Sequence, residues 1–466
     1  MSTSKSKKSR SGRGARKSRS SKGSLSSFCD VVKALEEISL NLPDPRKAEH
    51  PALRYEMRDS LLSATSVFYL QHPSFLSFQR ENQEKVGQNN ASTIFGVYQI
   101  PTDPTIRTML DAVSPSHFSP LISKIGQALY DQGHLDDFRT SIGFLVVFDG
   151  LQTVSSDVIG CPSCLTKRKT KESEEVTYSH AAVTPVLVRP GEARVIALPP
   201  EFITPQDGSS KQDCESKAAL RWTGSFLSNY RSWGRVTVMG DDLYSHEPFC
   251  RDILEKDCDF LLVCKEASHK ILYEYLTGAT TVVVKKREEG QRKKKKLTYA
   301  YRFMNDVPLN GGENALRGNW FEVTVTEEGQ EKPVFFNTWV TSHRVTKENV
   351  EDLVRFGRSR WKVENENNNT LKTKGYNLEH NFGHGEQYLA NTLATLNILT
   401  FLLHTAQEFW DQVYRTARSL LPRQVLFQYM RTLTTFIIFE SFEQLLEVIL
   451  SRGEPKYKLV PLSDTS

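Results

Sequence analysis

The chain has 466 residues, 38% of them hydrophobic and 25% charged, with a formal net charge of +5. That balance excludes a collagen-like or wholly disordered chain and fits a globular protein, long enough for about three domains. Seven cysteines, an odd number, without a secretory signal, point to a reducing compartment in which thiols hold metal more often than they pair.

Residues 1–25 form a basic arm. Lys5, Lys7, Lys8, Arg10, Arg13, Arg16, Lys17, Arg19 and Lys22 lie among Ser and Gly with no acid between them. Such a segment cannot bury apolar surface, so disorder and attraction to polyanions are expected. Residues 26–135 read as an N-terminal helical domain. Apolar residues recur at helical spacing over 29–38, 53–70 and 116–130, separated by Pro-bearing turns at 41–46 and 99–104. Beside the basic arm, DNA binding is the role expected of it.

At 142–148 the run IGFLVVF ends in Asp149 and Gly150. A short run that is apolar on both faces is the pattern of a central strand, which places Asp149 at its C-terminal edge. Strands are predicted at 176–188 and 194–198, a helix at 211–230, and a further strand at 235–240 that runs into Asp241 and Asp242. A helix at 247–255 and a strand at 260–264 complete a first α/β part, 140–264. Within it Cys161-Pro-Ser-Cys164 followed by His180 has the composition of a zinc knuckle, with Cys214 or His246 as candidates for a fourth ligand.

Residues 265–345 alternate as strands at 280–286, 297–303, 320–326 and 334–340 and read as a β-rich insert, with the basic run 292–296 at a turn suited to phosphates. From 346 to 452 the chain returns to helices. Val350, Val354, Gly357, Trp361, Glu364, Asn368 and Leu371 are spaced by three and four, which predicts one inward helical stripe carrying Glu364, with Arg360 one turn before it. A carboxylate on such a stripe must be paired, neutral or bound to a cation. His380 and His384 sit in HNFGHG, where the glycines predict a turn and a structural or DNA-contact role. The apolar run 389–406 is broken by Asn391, Asn397 and His404 and reads as a buried helix rather than a membrane span. Residues 453–466 read as a tail.

Acids at the ends of two strands and on a later helix, in the order Asp149, Asp241, Glu364, resemble the DDE-type insertion-sequence transposases of the YREK-signature group. That signature is Tyr-(2)-Arg-(3)-Glu-(6)-Lys. Arg360 and Glu364 keep its spacing, Gly357 stands at the Tyr position, and Lys372 comes one residue late. For the second acid the group's Asp-x-x-aromatic pattern fits Asp241 with Tyr244 better than Asp242. The resemblance implies an α/β fold, an RNase H-like mixed sheet with flanking helices and a β-rich insert before the catalytic Glu helix. It implies catalytic Asp149, Asp241 and Glu364 holding two Mg²⁺ (or Mn²⁺) ions, with Arg360 orienting Glu364 and Lys372 contacting a terminal phosphate. It further implies double-stranded DNA as substrate, a homodimer on DNA, no membrane, and a bacterial cytoplasmic, nucleoid-associated setting. Two other readings stay open: a metal-dependent nuclease without strand transfer, and a non-catalytic DNA-binding protein derived from a transposase.

Overall fold

The computed structural model describes residues 24–46, 54–168, 175–205, 214–289, 296–380 and 382–451. Most of the basic arm, most of the 292–296 run and the tail lie outside them. The chain begins with helices α1 (Phe28–Ser39), α2 (Met57–Tyr69), α3 (Phe75–Asn82), α4 (Lys85–Phe95), α5 (Asp103–Asp111) and α6 (Ser119–Asp131). Side chains start several of them. Ser27 and Ser74 accept N–H bonds at the first turns of α1 and α3, and Glu56 and Asp59 form a reciprocal capping box on α2.

A first group of strands follows: β1 (Phe144–Val147), β2 (Gly150–Ser156), β3 (Leu165–Arg168), β4 (Val176–Val183), β5 (Val186–Val188), β6 (Ile196–Ala197) and β7 (Glu201–Ile203). Next come α7 (Glu215–Trp222), five residues wound in wider, π-type turns, and α8 (Ser228–Arg231). Then β8 (Val236–Gly240), α9 (Glu247–Glu255), β9 (Asp259–Val263) and α10 (Lys270–Thr277) alternate. Four longer strands, β10 (Val282–Glu289), β11 (Lys296–Pro308), β12 (Arg317–Glu327) and β13 (Phe335–Thr341), precede α11 (Val350–Arg358) and α12 (Asn369–Thr373). The last helices are α13 (Leu389–Trp410), α14 (Gln412–Leu420), α15 (Arg423–Phe436) and α16 (Phe442–Leu450).

The fold is α/β, built on a mixed nine-stranded sheet in the order β10-β11-β12-β13-β9-β8-β1-β5-β6. β1 is parallel to β8, and β8 to β9, while β1–β5 and β5–β6 are antiparallel. All four residues of β1 and all five of β8 are buried, as expected of strands covered on both faces. The four strands of the expected insert form, and β13 pairs with β9, so they extend the main sheet. β2, β4, β3 and β7 form a second, smaller antiparallel sheet beside β1.

The helices at both ends of the chain pack together rather than as separate layers. α13 lies against α2, α5, α6, α14 and β6, Tyr69 donates its hydroxyl to Gln407 at 2.7 Å, and Phe28 stacks on Phe442. α13 is long and apolar enough to cross a membrane, yet the apolar window is wholly buried within the protein. A helix that is apolar all round is a core helix when other elements surround it.

Candidate active site and metal centre

Asp149 and Asp241 occupy equivalent places on neighbouring strands. β1 and β8 are parallel with Val147 opposite Met239, and each acid lies two residues beyond that pair. Strands so paired run about 4.8 Å apart, so the two carboxylates leave the sheet side by side at its C-terminal edge. Asp149 is anchored through its backbone, where its carbonyl accepts the Thr184 N–H at 2.9 Å. Its side-chain Oδ2 accepts from Asn368 Nδ2 at 2.7 Å. The Asn368 amide is itself oriented, because its Oδ1 accepts from Thr184 Oγ1 at 3.0 Å and from Asn367 Nδ2 at 2.9 Å.

The pair Asp241 and Asp242 divides its work. Asp242 accepts the Lys265 N–H and the Ser268 hydroxyl, each at 2.5 Å, which commits it to the 265–269 turn. Asp241 caps its own following turn through Leu243 N–H at 2.9 Å. Its charge acts on Asp149, Glu215 and Tyr244. Asp241 is therefore the acid that faces Asp149.

Glu364 does not sit where the spacing places it. Val350, Val354, Gly357, Asn368 and Leu371 are buried as expected, but Trp361 is 43% exposed and the Glu364 side chain 48%. The helix α11 ends at Arg358, and Val363–Asn368 winds in π-type turns. Such turns advance the phase more slowly than an α-helix and are common at functional sites. The inward face becomes Val363, Asn367 and Asn368, and Glu364 is left on the open side. Arg360 Nη2 lies 2.5 Å from its Oε1, so the expected i,i+4 pair forms. The acid that burial threatens is Asp149. Burial first, and the Glu364 charge second, push it up to about 7, against the pull of Arg360.

A fourth carboxylate, not among those expected, joins the group. Glu215 opens α7 and accepts the Tyr244 hydroxyl at 2.5 Å. Burial and then the Asp241 charge raise its pKa, with the Tyr244 hydroxyl and the Gly150 N–H opposing. Room for it is made by glycine. A Cβ at Gly150 would lie 2.2 Å from Glu215 Oε2, and one at Gly240 would lie 2.6 Å from the Tyr244 ring. The one sequence signal was an acid at the start of an amphipathic helix, a common stabilising feature that does not mark a site. Lys372 is held by Glu379 at 2.6 Å.

A second cluster gathers Cys161, Cys164, His180 and His384, whose ligand atoms all lie within 4.8 Å of one another, and it could hold a metal ion. His384 supplies the place left open after Cys161, Cys164 and His180. Cys214, exposed at the start of α7, and His246, stacked on His269, do not. His384 enters because the turn around it is tightly built. Gly385 has φ +70°, and a Cβ there would lie 2.3 Å from Asp111 Oδ1. The Asp111 carboxylate gathers the N–H groups of Glu386, Gln387, Tyr388 and Leu389 at 3.0–3.1 Å, which caps α13 from a distant helix. His380 is exposed and outside the cluster.

Comparison with family models and with curated proteins gives no match for this chain.

Proposed function

We propose that the chain is a DDE-type transposase, in which Asp149, Asp241 and Glu364 hold two Mg²⁺ or Mn²⁺ ions and act on the phosphodiesters of double-stranded DNA. What carries the reading is the placement of Asp149 and Asp241 at one level of two parallel strands, with the Glu364 charge felt at Asp149. The strand order β6-β5-β1-β8-β9, antiparallel on one side of β1 and parallel on the other, supports an RNase H-like sheet.

The donor set is all carboxylate oxygen, which fits magnesium. A half-buried acid pushed up to about 7 is a group that a cation would return to its ionised form. When bound, paired ions of this kind activate a water or a 3′-hydroxyl and stabilise the leaving 3′-oxygen. Asn368 holds the Asp149 carboxylate in one orientation, and Arg360 holds Glu364. The exposed basic residues Lys285 and Arg287 on β10 offer contacts to DNA phosphates. A homodimer on DNA and a bacterial cytoplasmic setting follow from the same reading. The sulfur and nitrogen of the second cluster are the wrong donors for magnesium and suit zinc.

The test is excision from a plasmid that carries the gene with its native flanking DNA, comparing the parent with Glu364→Gln. Excision by the parent and none by the variant is expected. Purified protein with Mg²⁺ and the element ends should also join freed 3′ ends to new DNA. Cleavage without joining would leave a nuclease. Cleavage retained by a folded Glu364→Ala protein would overturn the site.

A further inference from the structure

The Cys161–Cys164 turn, the strand β4 and the segment leading into α13 come from three separate parts of the chain, and the cluster is where they meet. Cys164, His180 and His384 are buried, with exposures of 4%, 2% and 7%. Four such side chains converging inside a protein need a reason, since thiols and imidazoles gain little from one another there.

Four of the six separations between the ligand atoms lie close to those of a tetrahedral site, and all six are within 4.8 Å. Zinc–sulfur bonds of about 2.3 Å and zinc–nitrogen bonds of about 2.0–2.1 Å place two sulfurs about 3.8 Å apart and sulfur and nitrogen about 3.6 Å apart. Cys161 Sγ and Cys164 Sγ are 3.8 Å apart. His180 Nε2 is 3.4 Å from each of them, and His384 Nε2 is 3.2 Å from Cys164 Sγ.

The imidazoles are also set in the state that a metal requires. His180 Nδ1 lies 2.8 Å from Asn391 Oδ1, and His384 Nδ1 lies 2.9 Å from the carbonyl of Gly385. Facing an acceptor, each Nδ1 carries the proton, and each Nε2 turns a lone pair toward the sulfurs. This arrangement, a ring nitrogen tied to an oxygen acceptor behind a metal-ligating histidine, is the usual support of such a site. A disulfide would account for the two cysteines and leave both histidines unexplained.

We propose that Cys161, Cys164, His180 and His384 bind one structural zinc ion, which clamps the segment that follows α12 onto the small sheet whose first strand starts next to Asp149. The two ends of the clamp lie on the elements that flank the acids. β4 reaches the first carboxylate because its Val183 pairs with Gly150. His384 lies 20 residues beyond Glu364. With all four positions filled by protein, the ion has no open site for catalysis. The role is to hold the Glu364 element in register with the strand that carries Asp149.

The experiment is metal analysis of the purified full chain grown with zinc, without DNA, so the result is independent of any transposition. About one zinc per chain is expected, lost in Cys161→Ser and in His384→Ala and kept in Cys214→Ser and His380→Ala. Removal of zinc by a chelator should lower the melting temperature of the parent. Cobalt exchanged into the parent should give the intense visible bands of a tetrahedral site with thiolate charge transfer, a readout that needs no variant to fold. Zinc well below about 0.2 per chain, or cobalt bands of an octahedral site, would overturn the proposal. So would a folded His384→Ala protein that keeps its full equivalent, or a Cys161–Cys164 disulfide in protein prepared without oxygen.

Discussion

Asp149→Asn isolates the charge strain at the centre of the acidic group. In the folded, metal-free protein Asp149 is pushed from its usual 3.8 up to about 7, by burial and then by Glu364. The native state therefore holds a proton that the unfolded chain has released, and Asp149 lowers stability as pH rises from about 4 to about 7. A shift of about three units corresponds to roughly 4 kcal/mol, an upper bound because the neighbouring acids share the proton. Asparagine keeps an oxygen for Asn368 Nδ2 and carries no charge. At pH 4 the variant and the parent should melt together. At pH 8 the variant should melt higher by up to about 4 °C, taking unfolding entropy of about 2.1 cal/mol/K per residue. Added Mg²⁺ should raise the parent's melting temperature at pH 8, through binding to the folded form, and leave the variant unmoved. Scanning calorimetry across pH, with and without Mg²⁺, measures both effects. An equal difference at pH 4 and pH 8, or an equal response to Mg²⁺, would refute the reasoning.

Other expectations follow from the same contacts. Asp241→Asn should abolish Mg²⁺-dependent DNA cleavage while melting no lower than the parent at pH 8. Asp242→Asn should instead cost about 1–3 kcal/mol by weakening its bonds from Lys265 N–H and Ser268, seen as a lower melting temperature. Tyr244→Phe removes the hydroxyl donor to the half-buried Glu215 and should destabilise by about 1–3 kcal/mol. That loss should largely vanish when Glu215→Gln is already present, a coupling that a double-mutant cycle measures. Asp111→Ala strips four N–H groups of their acceptor. It should cost about 1–2 kcal/mol in chemical denaturation and weaken zinc retention by loosening the turn that carries His384.

The central strands were legible because their code is local. The run 142–148 is apolar on both faces and 235–240 carries the β-branched Val236, Thr237 and Val238; each stops at an acid, so β1, β8 and the two Asp positions could be read directly. The helix at 247–255 and all four strands of the 265–345 region were legible for the same reason. What spacing could not convey was the winding of Val363–Asn368. A stripe computed at 3.6 residues per turn loses phase in π-type turns, so Asn368 was legible as an inward residue and Glu364 was not legible as an outward one. Glu215 and His384 were hidden for another reason. Their partners lie 29 and 220 residues away, at Tyr244 and Cys164, and no local pattern encodes such a meeting. That β13 docks on β9, making the insert an extension of the sheet, is likewise a pairing between distant strands.

The departure at Gly357 has a physical reason of the same kind. In the signature that Arg360 and Glu364 otherwise keep, a tyrosine would stand three residues before the arginine. Here a Cβ at Gly357 would already lie 2.7 Å from Trp339 Nε1 and 2.8 Å from Cε2. The buried Trp339 indole, stacked on Phe321, fills the space that a side chain at 357 would enter. The exchange ties α11 closely to β13, the strand through which the β10–β13 extension joins the sheet at β9. The helix just before Glu364 is thus packed on the inserted strands, while the segment beyond α12 reaches the Cys161, Cys164 and His180 cluster at His384. Between the two lie the wide turns that carry Glu364. A carboxylate placed this way stays half exposed, paired with Arg360 and near enough for its charge to raise Asp149.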